Sequence, residues 1–178
     1  MLHACTSGEE SSRRPEVIAD NTELASLYAA DQADRTTGDI DWEQVNSRDS
    51  TRRARVRELL EAGDVRTGTD HKNAAMVFQH GKDSVDYKLA TSLMAQAIEL
   101  DTSINKWLYA AATDRYRQSI DSPQIFGTQY LKFGDEPWNQ GQYDTARVTD
   151  EERRQYGVET LEEQRAKLRE MNSSHNEE

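Results

Sequence analysis

Residues 41–63, DWEQVNSRDSTRRARVRELLEAG, decide the fold class. The stretch opens on Asp41, whose carboxylate suits a helix N-cap, and closes on Gly63, which suits the left-handed position after a helix. Between them Val45, Val56, Leu59 and Leu60 fall on one face at helical spacing. The spacing predicts an amphipathic helix over about 42–62. Followed backward, the same stripe turns charged at Arg53, Arg52 and Asp49.

The flanking sequence repeats this pattern. A first helix is predicted from about Thr22 to Arg35, capped by Asn21 or Thr22, with Leu24, Leu27 and Tyr28 inward. A third spans about His71 to His80 and ends in MVFQHG (76–81), where Gly81 closes it. A fourth, about Val85 to Leu100, carries Leu89, Leu93, Ala97 and Leu100. A fifth, about Ile104 to Gln118, carries Ile104, Trp107, Leu108 and Ala111. Residues 121–147 hold two of the three prolines and read as an irregular loop with a short hairpin. Two capping boxes follow, Thr149 to Glu152 and Thr160 to Glu163, the second opening a charged helix to about Met171. The expectation is a mainly α protein: one compact antiparallel bundle of five to six helices, with the 121–147 loop near one end. Residues 1–20 read as a tether, 21–171 as a single helical domain and 172–178 as a tail.

A chain of 178 residues has room for one core. Hydrophobic residues make up 35% and charged residues 31%, with 3 prolines and 9 glycines, which favours helices with solvated outer faces. The net charge of -11 argues against nucleic acid and anionic membranes as partners, because both require a basic surface. No apolar run is long enough to cross a bilayer. The single cysteine, Cys5, forms no internal disulfide. Its setting, LHAC followed by a polar stretch, resembles the end of a bacterial lipoprotein signal, with Cys5 as the lipidated residue and the cell envelope as the location. Without that anchor the chain would be cytoplasmic. No HExxH, cysteine pair, phosphate-cradling loop or dinucleotide fingerprint occurs, so neither a metal nor a cofactor is indicated.

Short connections make successive helices antiparallel, and each core-facing stripe can then be extended to its end. The stripes converge on one pole, which collects Asp31, Gln32, Arg35, Asp49, Arg52, Gln79, His80, Asp86, Asp114 and Arg115. The loop after the fifth helix adds Gln124, Gly127, Thr128 and Gln129. Core-facing charges cost several kcal/mol each unless paired or used. His80 stands out, since an imidazole ordinarily titrates near about pH 6.5. With Asp114 or Asp31 orienting it, His80 would serve as a general acid or base. Arg35, Arg52 and Arg115 would hold an anion, the glutamines would orient the ligand, and Gly127 would let the loop come close.

DQADR (31–35), DSTRR (49–53), AAMVFQHG (74–81), TDRYRQ (113–118), PQIFGTQY (123–130) and VTDEERRQYGV (148–158) occur in this order. The set resembles a bacterial domain family of unknown function, marked by DQxxR, QHG, DR and GTQ signatures. The likeness covers about 22–171 and departs from the family pattern around 101–106 and 131–147. It implies a compact helical domain whose signature positions here are Asp31, Gln32, Arg35, Gln79, His80, Asp114, Arg115, Gln124, Gly127, Thr128 and Gln129, with no established activity.

Two readings follow. In the first, the pole is a pocket for a small polar or anionic ligand. In the second, the chain is a non-catalytic, lipid-anchored or secreted scaffold of tetratricopeptide-like hairpins whose polar cluster is structural. A protein partner would then meet Tyr130, Phe133, Trp138 and Tyr143 of the long loop.

Overall fold

The computed structural model describes residues 18–36 and 38–175. Within them the chain is a helical bundle: α1 (Thr22–Ala33), α2 (Trp42–Ala62), α3 (Gly68–Gln79), α4 (Ser84–Leu100), α5 (Trp107–Ser119), α6 (Asp150–Gln155) and α7 (Leu161–His175). Among the described residues there is no β-strand, only isolated bridges Gln124–Tyr143 and Leu131–Asn139 inside the long loop. No helix there is long and apolar enough to cross a membrane. Cys5 lies outside the described residues.

The predicted signals for α2 act as expected. The Asp41 carboxylate accepts from the amides of Glu43 and Gln44, and Gly63 takes the left-handed conformation at φ 74°. Both capping boxes form. Other boundaries shift for local reasons. α3 starts earlier than His71, because Thr67 caps it in a third box with Asp70. The Asp70 carboxylate also accepts from the amides of Asn21 and Arg66, tying the starts of α1 and α3 together. α5 starts only at Trp107, whose amide donates to Asn105 Oδ1. α1 stops at Ala33, and α7 runs past Met171. Asn172, assigned to the tail, exchanges two hydrogen bonds with the backbone of Trp138. Asp20, assigned to the tether, accepts from Thr67 Oγ1 at 2.6 Å.

α3 lies at the centre. Ala74, Ala75, Val77 and Phe78 are all buried, so nearly its whole circumference is covered by α1, α2, α4 and α5. These residues share one core with Leu24, Val56, Leu59, Leu93, Met94, Ala97 and Leu108. The inward stripe of α4 is Ala90, Leu93, Met94 and Ala97, an i, i+3, i+4, i+7 set, which turns Leu100 outward to 56% exposure. Trp107, also expected inside, is 42% exposed. A smaller core of Ala110, Phe126, Val148 and Val158 joins α5 to the long loop and α6, with Tyr156 stacked on Tyr109.

The starts of α1 and α3 meet at Asn21–Asp70 and their ends at Asp31–His80. α5 brings its last turns to the end of α3, where Arg115 donates to the Gln79 carbonyl. Helices α1, α3 and α5 therefore run parallel, with α2 and α4 running back between them. This arrangement builds the polar pole.

A candidate anion site at one pole of the bundle

Asp31 is fully buried at the end of α1. Its carboxylate accepts from Gln32 Nε2 at 2.7 Å, Arg35 Nη1 at 3.1 Å and His80 Nδ1 at 2.9 and 3.0 Å. Burial pushes this carboxyl upward in pKa, but the donors from His80, Gln32 and Arg35 outweigh it and hold the group below its ordinary value. Nδ1 is thus committed to the Asp31 carboxylate, which leaves Nε2 as the second ring nitrogen. That nitrogen has no partner among the described residues.

Behind this pair stands a run of ion pairs. Arg35 reaches Asp49 at 2.5 Å, and Arg52 joins Asp49 at 2.9 Å while also meeting Asp34. Arg53 donates to the His80 carbonyl at 2.9 Å and pairs with Asp86 at 3.2 Å. Arg57 meets the other oxygen of Asp86 and lies over the Phe78 ring. Gly81 is required where α3 turns into α4, since a Cβ there would stand 2.3 Å from Asp86 Cβ and 2.8 Å from the Phe78 carbonyl.

Arg115 differs from these arginines. Its Nη1 donates to the Gln79 carbonyl at 2.7 Å and its Nε to Gln129 Oε1 at 3.4 Å, and it lies 5.8 Å from the Tyr87 ring centre. No carboxylate lies within ion-pair distance of it among the described residues. Burial lowers its pKa, and the charge of Arg35 adds to that, against the opposing effect of Tyr87. Arg115 forms part of the wall of an open cleft of about 570 Å³, with Lys82, Asp83, Ser84, Tyr87, Gln118 and Ser119. Asp83 in that wall caps α4 through the amides of Val85 and Asp86.

Gln79 is the second unsatisfied group. It is 5% exposed, its Oε1 is buried with no partner, and its carboxamide makes no hydrogen bond among the described residues. A buried amide oxygen left in that state costs about 1–3 kcal/mol.

The pole thus brings together Asp31, Gln32, Arg35, Asp49, Arg52, Gln79, His80 and Arg115, with Gln129 at its edge. Two of the roles expected for them change. Arg35 and Arg52 meet carboxylates of the chain itself and are not open to an anion. Asp114 does not orient His80, because Asp31 does. Fully buried, Asp114 accepts from the amides of Ile125, Phe126 and Thr128 and from Thr128 Oγ1 at 2.8–3.0 Å. Those four bonds fold the loop after α5 and occupy both carboxylate oxygens.

The GTQ loop is likewise occupied from within. Gln124 is fully buried and bonds the backbone of Gln129 and Gln140. Gly127, at φ 83°, brings the loop close to protein and not to ligand: a Cβ would stand 2.3 Å from Gln164 Oε1 and 2.5 Å from the Tyr143 hydroxyl. Gln124, Gly127 and Thr128 therefore form a knot beside the pole. Of the four loop aromatics expected to form a protein-binding face, Phe133 alone is exposed, while Tyr130, Trp138 and Tyr143 are half-buried.

Sequence reading missed the centre of that knot. Arg153 is fully buried and donates to the Tyr143 hydroxyl, Asp150 and the carbonyls of Ile125 and Thr145. Gln164 bridges Phe126 and Glu159. Both sit within charged helical runs whose periodicity gives no sign of burial. Tyr87 and Lys82 were also missed, although their nearness to the QHG turn was a signal.

Set against known proteins, the chain matches no family model, no curated protein and no solved structure.

Proposed function

We propose that this pole binds a small anion, with Arg115 as its anchor and His80 beside it as the group that exchanges a proton. One observation carries this reading. Arg35, Arg52, Arg53 and Arg57 each meet at least one carboxylate, whereas the half-buried Arg115 meets none among the described residues. Desolvating a guanidinium without a counter-charge is costly, and an incoming carboxylate or phosphate would recover that cost. A guanidinium presents five N–H donors in a planar fork, and the Gln79 and Gln129 contacts use only part of that set. The Asp31–His80 pair supplies an oriented imidazole with Nε2 uncommitted, the arrangement needed to hold or release a proton next to a bound anion.

The family resemblance belongs to this proposal. Its DQxxR, QHG and DR signatures supply Asp31, Gln32, Arg35, Gln79, His80 and Arg115, all of which lie at the pole, while its GTQ signature folds the adjoining loop.

The test is an equilibrium titration with sodium acetate and sodium phosphate at constant ionic strength, on wild type and Arg115→Met. The expected result is saturable binding in wild type that weakens at least tenfold in the variant, with the helical signal unchanged. Equal binding by both proteins would refute the assignment.

A further inference from the structure

We infer that a second small-molecule site lies on the flank of the bundle between α1, α3 and α5, and that it takes a small aromatic carboxylate. Lys72 and Met76 stand one turn apart on one face of α3. With Tyr28 of α1, Trp107 and Leu108 of α5 and Asn105 just before α5, they line a pocket of about 230 Å³. None of these residues lines the cleft at Arg115, so the two sites are separate. Trp107 is 42% exposed, so its indole borders the pocket without being sealed into the core.

The walls specify the body of the ligand. Tyr28 and Trp107 offer aromatic rings and Met76 a thioether, side chains that favour an aromatic guest. An apolar cavity of about 150 Å³ holds a benzene ring. The larger pocket here has room for one ring with a short acid arm.

The polar groups specify its charge. Lys72 Nζ lies 5.8 Å from the centre of the Tyr28 ring, and its N–H donors meet no acceptor among the described residues. Asn105 Oδ1 accepts from the Trp107 amide at 2.8 Å. That bond fixes the carboxamide and leaves its NH2 without an acceptor among the described residues. The pocket therefore offers a half-buried cation and an amide donor, and no carboxylate lines it. A ligand carboxylate accepts from both and supplies the counter-charge. An amine would be repelled by Lys72, and a purely apolar guest would leave both donors unused.

The test is an NMR titration of the full chain with sodium phenylacetate and with phenylacetamide, its uncharged analogue, at constant ionic strength. It is read at the Trp107 indole N–H, assigned by comparison with Trp107→Phe. Wild type is expected to bind phenylacetate about tenfold more tightly than phenylacetamide, the equivalent of one charge-assisted hydrogen bond. Lys72→Met keeps an unbranched apolar stem at a half-buried position, so folding is retained, and the preference is expected to vanish. N-acetylphenylalanine, which carries the same ring and carboxylate at the end of a peptide, is expected to bind more weakly than phenylacetate. Equal affinity of wild type for phenylacetate and phenylacetamide would overturn the inference without any variant. A preference that survives in Lys72→Met would overturn it too, as would a Trp107 signal that neither compound moves. Tighter binding of N-acetylphenylalanine would overturn the assignment to a free acid and make the pocket a receptor for a chain terminus.

Discussion

Single residues at the pole separate structural roles from uncommitted ones. Gly81 is structural: any side chain there collides with Asp86 and the Phe78 carbonyl, so Gly81→Ala is expected to lower stability by about 1–3 kcal/mol in chemical denaturation. Gln79 is the opposite case. Its buried oxygen has no partner, so Gln79→Met is expected to raise the melting temperature, reflecting about 1 kcal/mol. Asp31 combines both kinds of role, since it orients His80 and joins the ion pairs. Replacing it with Asn leaves Arg35 less compensated in a buried setting and is expected to cost about 3 kcal/mol or more. The pH dependence follows from the sign of its shift. The folded carboxyl lies below its unfolded value, so its stabilising contribution is complete above about pH 4 and is lost as pH falls through the lower folded value. Melting curves collected from pH 7 down to pH 2 should fall steeply for wild type in acid and less steeply for Asp31→Asn.

At the scale of elements, caps and turns explain both what the sequence disclosed and what it concealed. α2 was legible to the residue because Asp41 and Gly63 are unambiguous end signals. The start of α3 was not, because Gly68 and Thr69 have loop-like composition and the capping box uses Asp70 where Glu or Gln is usual. The loop after α5 was legible only as irregular. Its organiser, Asp114, spends its carboxylate on backbone amides, and no side-chain pattern announces such a partner. Asp114 therefore looked like a companion of His80 when it is the hub of a neighbouring knot. Gly127 tests the integrity of that knot. Its positive φ and the space taken by Tyr143 and Gln164 both oppose a side chain. Gly127→Ala is expected to destabilise by about 2 kcal/mol or more and to loosen α7, read as faster amide exchange over Gln164 and its neighbours.

For the whole molecule, the parallel course of α1, α3 and α5 brings their ends to one pole, and this was legible because the apolar stripes of the first, second and fifth helices turn charged where they reach it. The same stripes could not show which charges neutralise one another. That depends on side-chain reach across helices, as in Arg35 with Asp49 or Arg53 with Asp86. Only after those pairings are made does Arg115 stand out among the arginines gathered at the pole, as the one that meets no carboxylate of the described residues. The most direct test observes Arg115 itself. Its guanidinium Nε–H resonance, assigned by comparison with Arg115→Met, is followed while sodium acetate is added at fixed ionic strength. The predicted result is a saturable downfield shift of that resonance with a parallel change at the His80 ring. A guanidinium signal that stays still while acetate is raised far above physiological levels would contradict the assignment of this pole as an anion site.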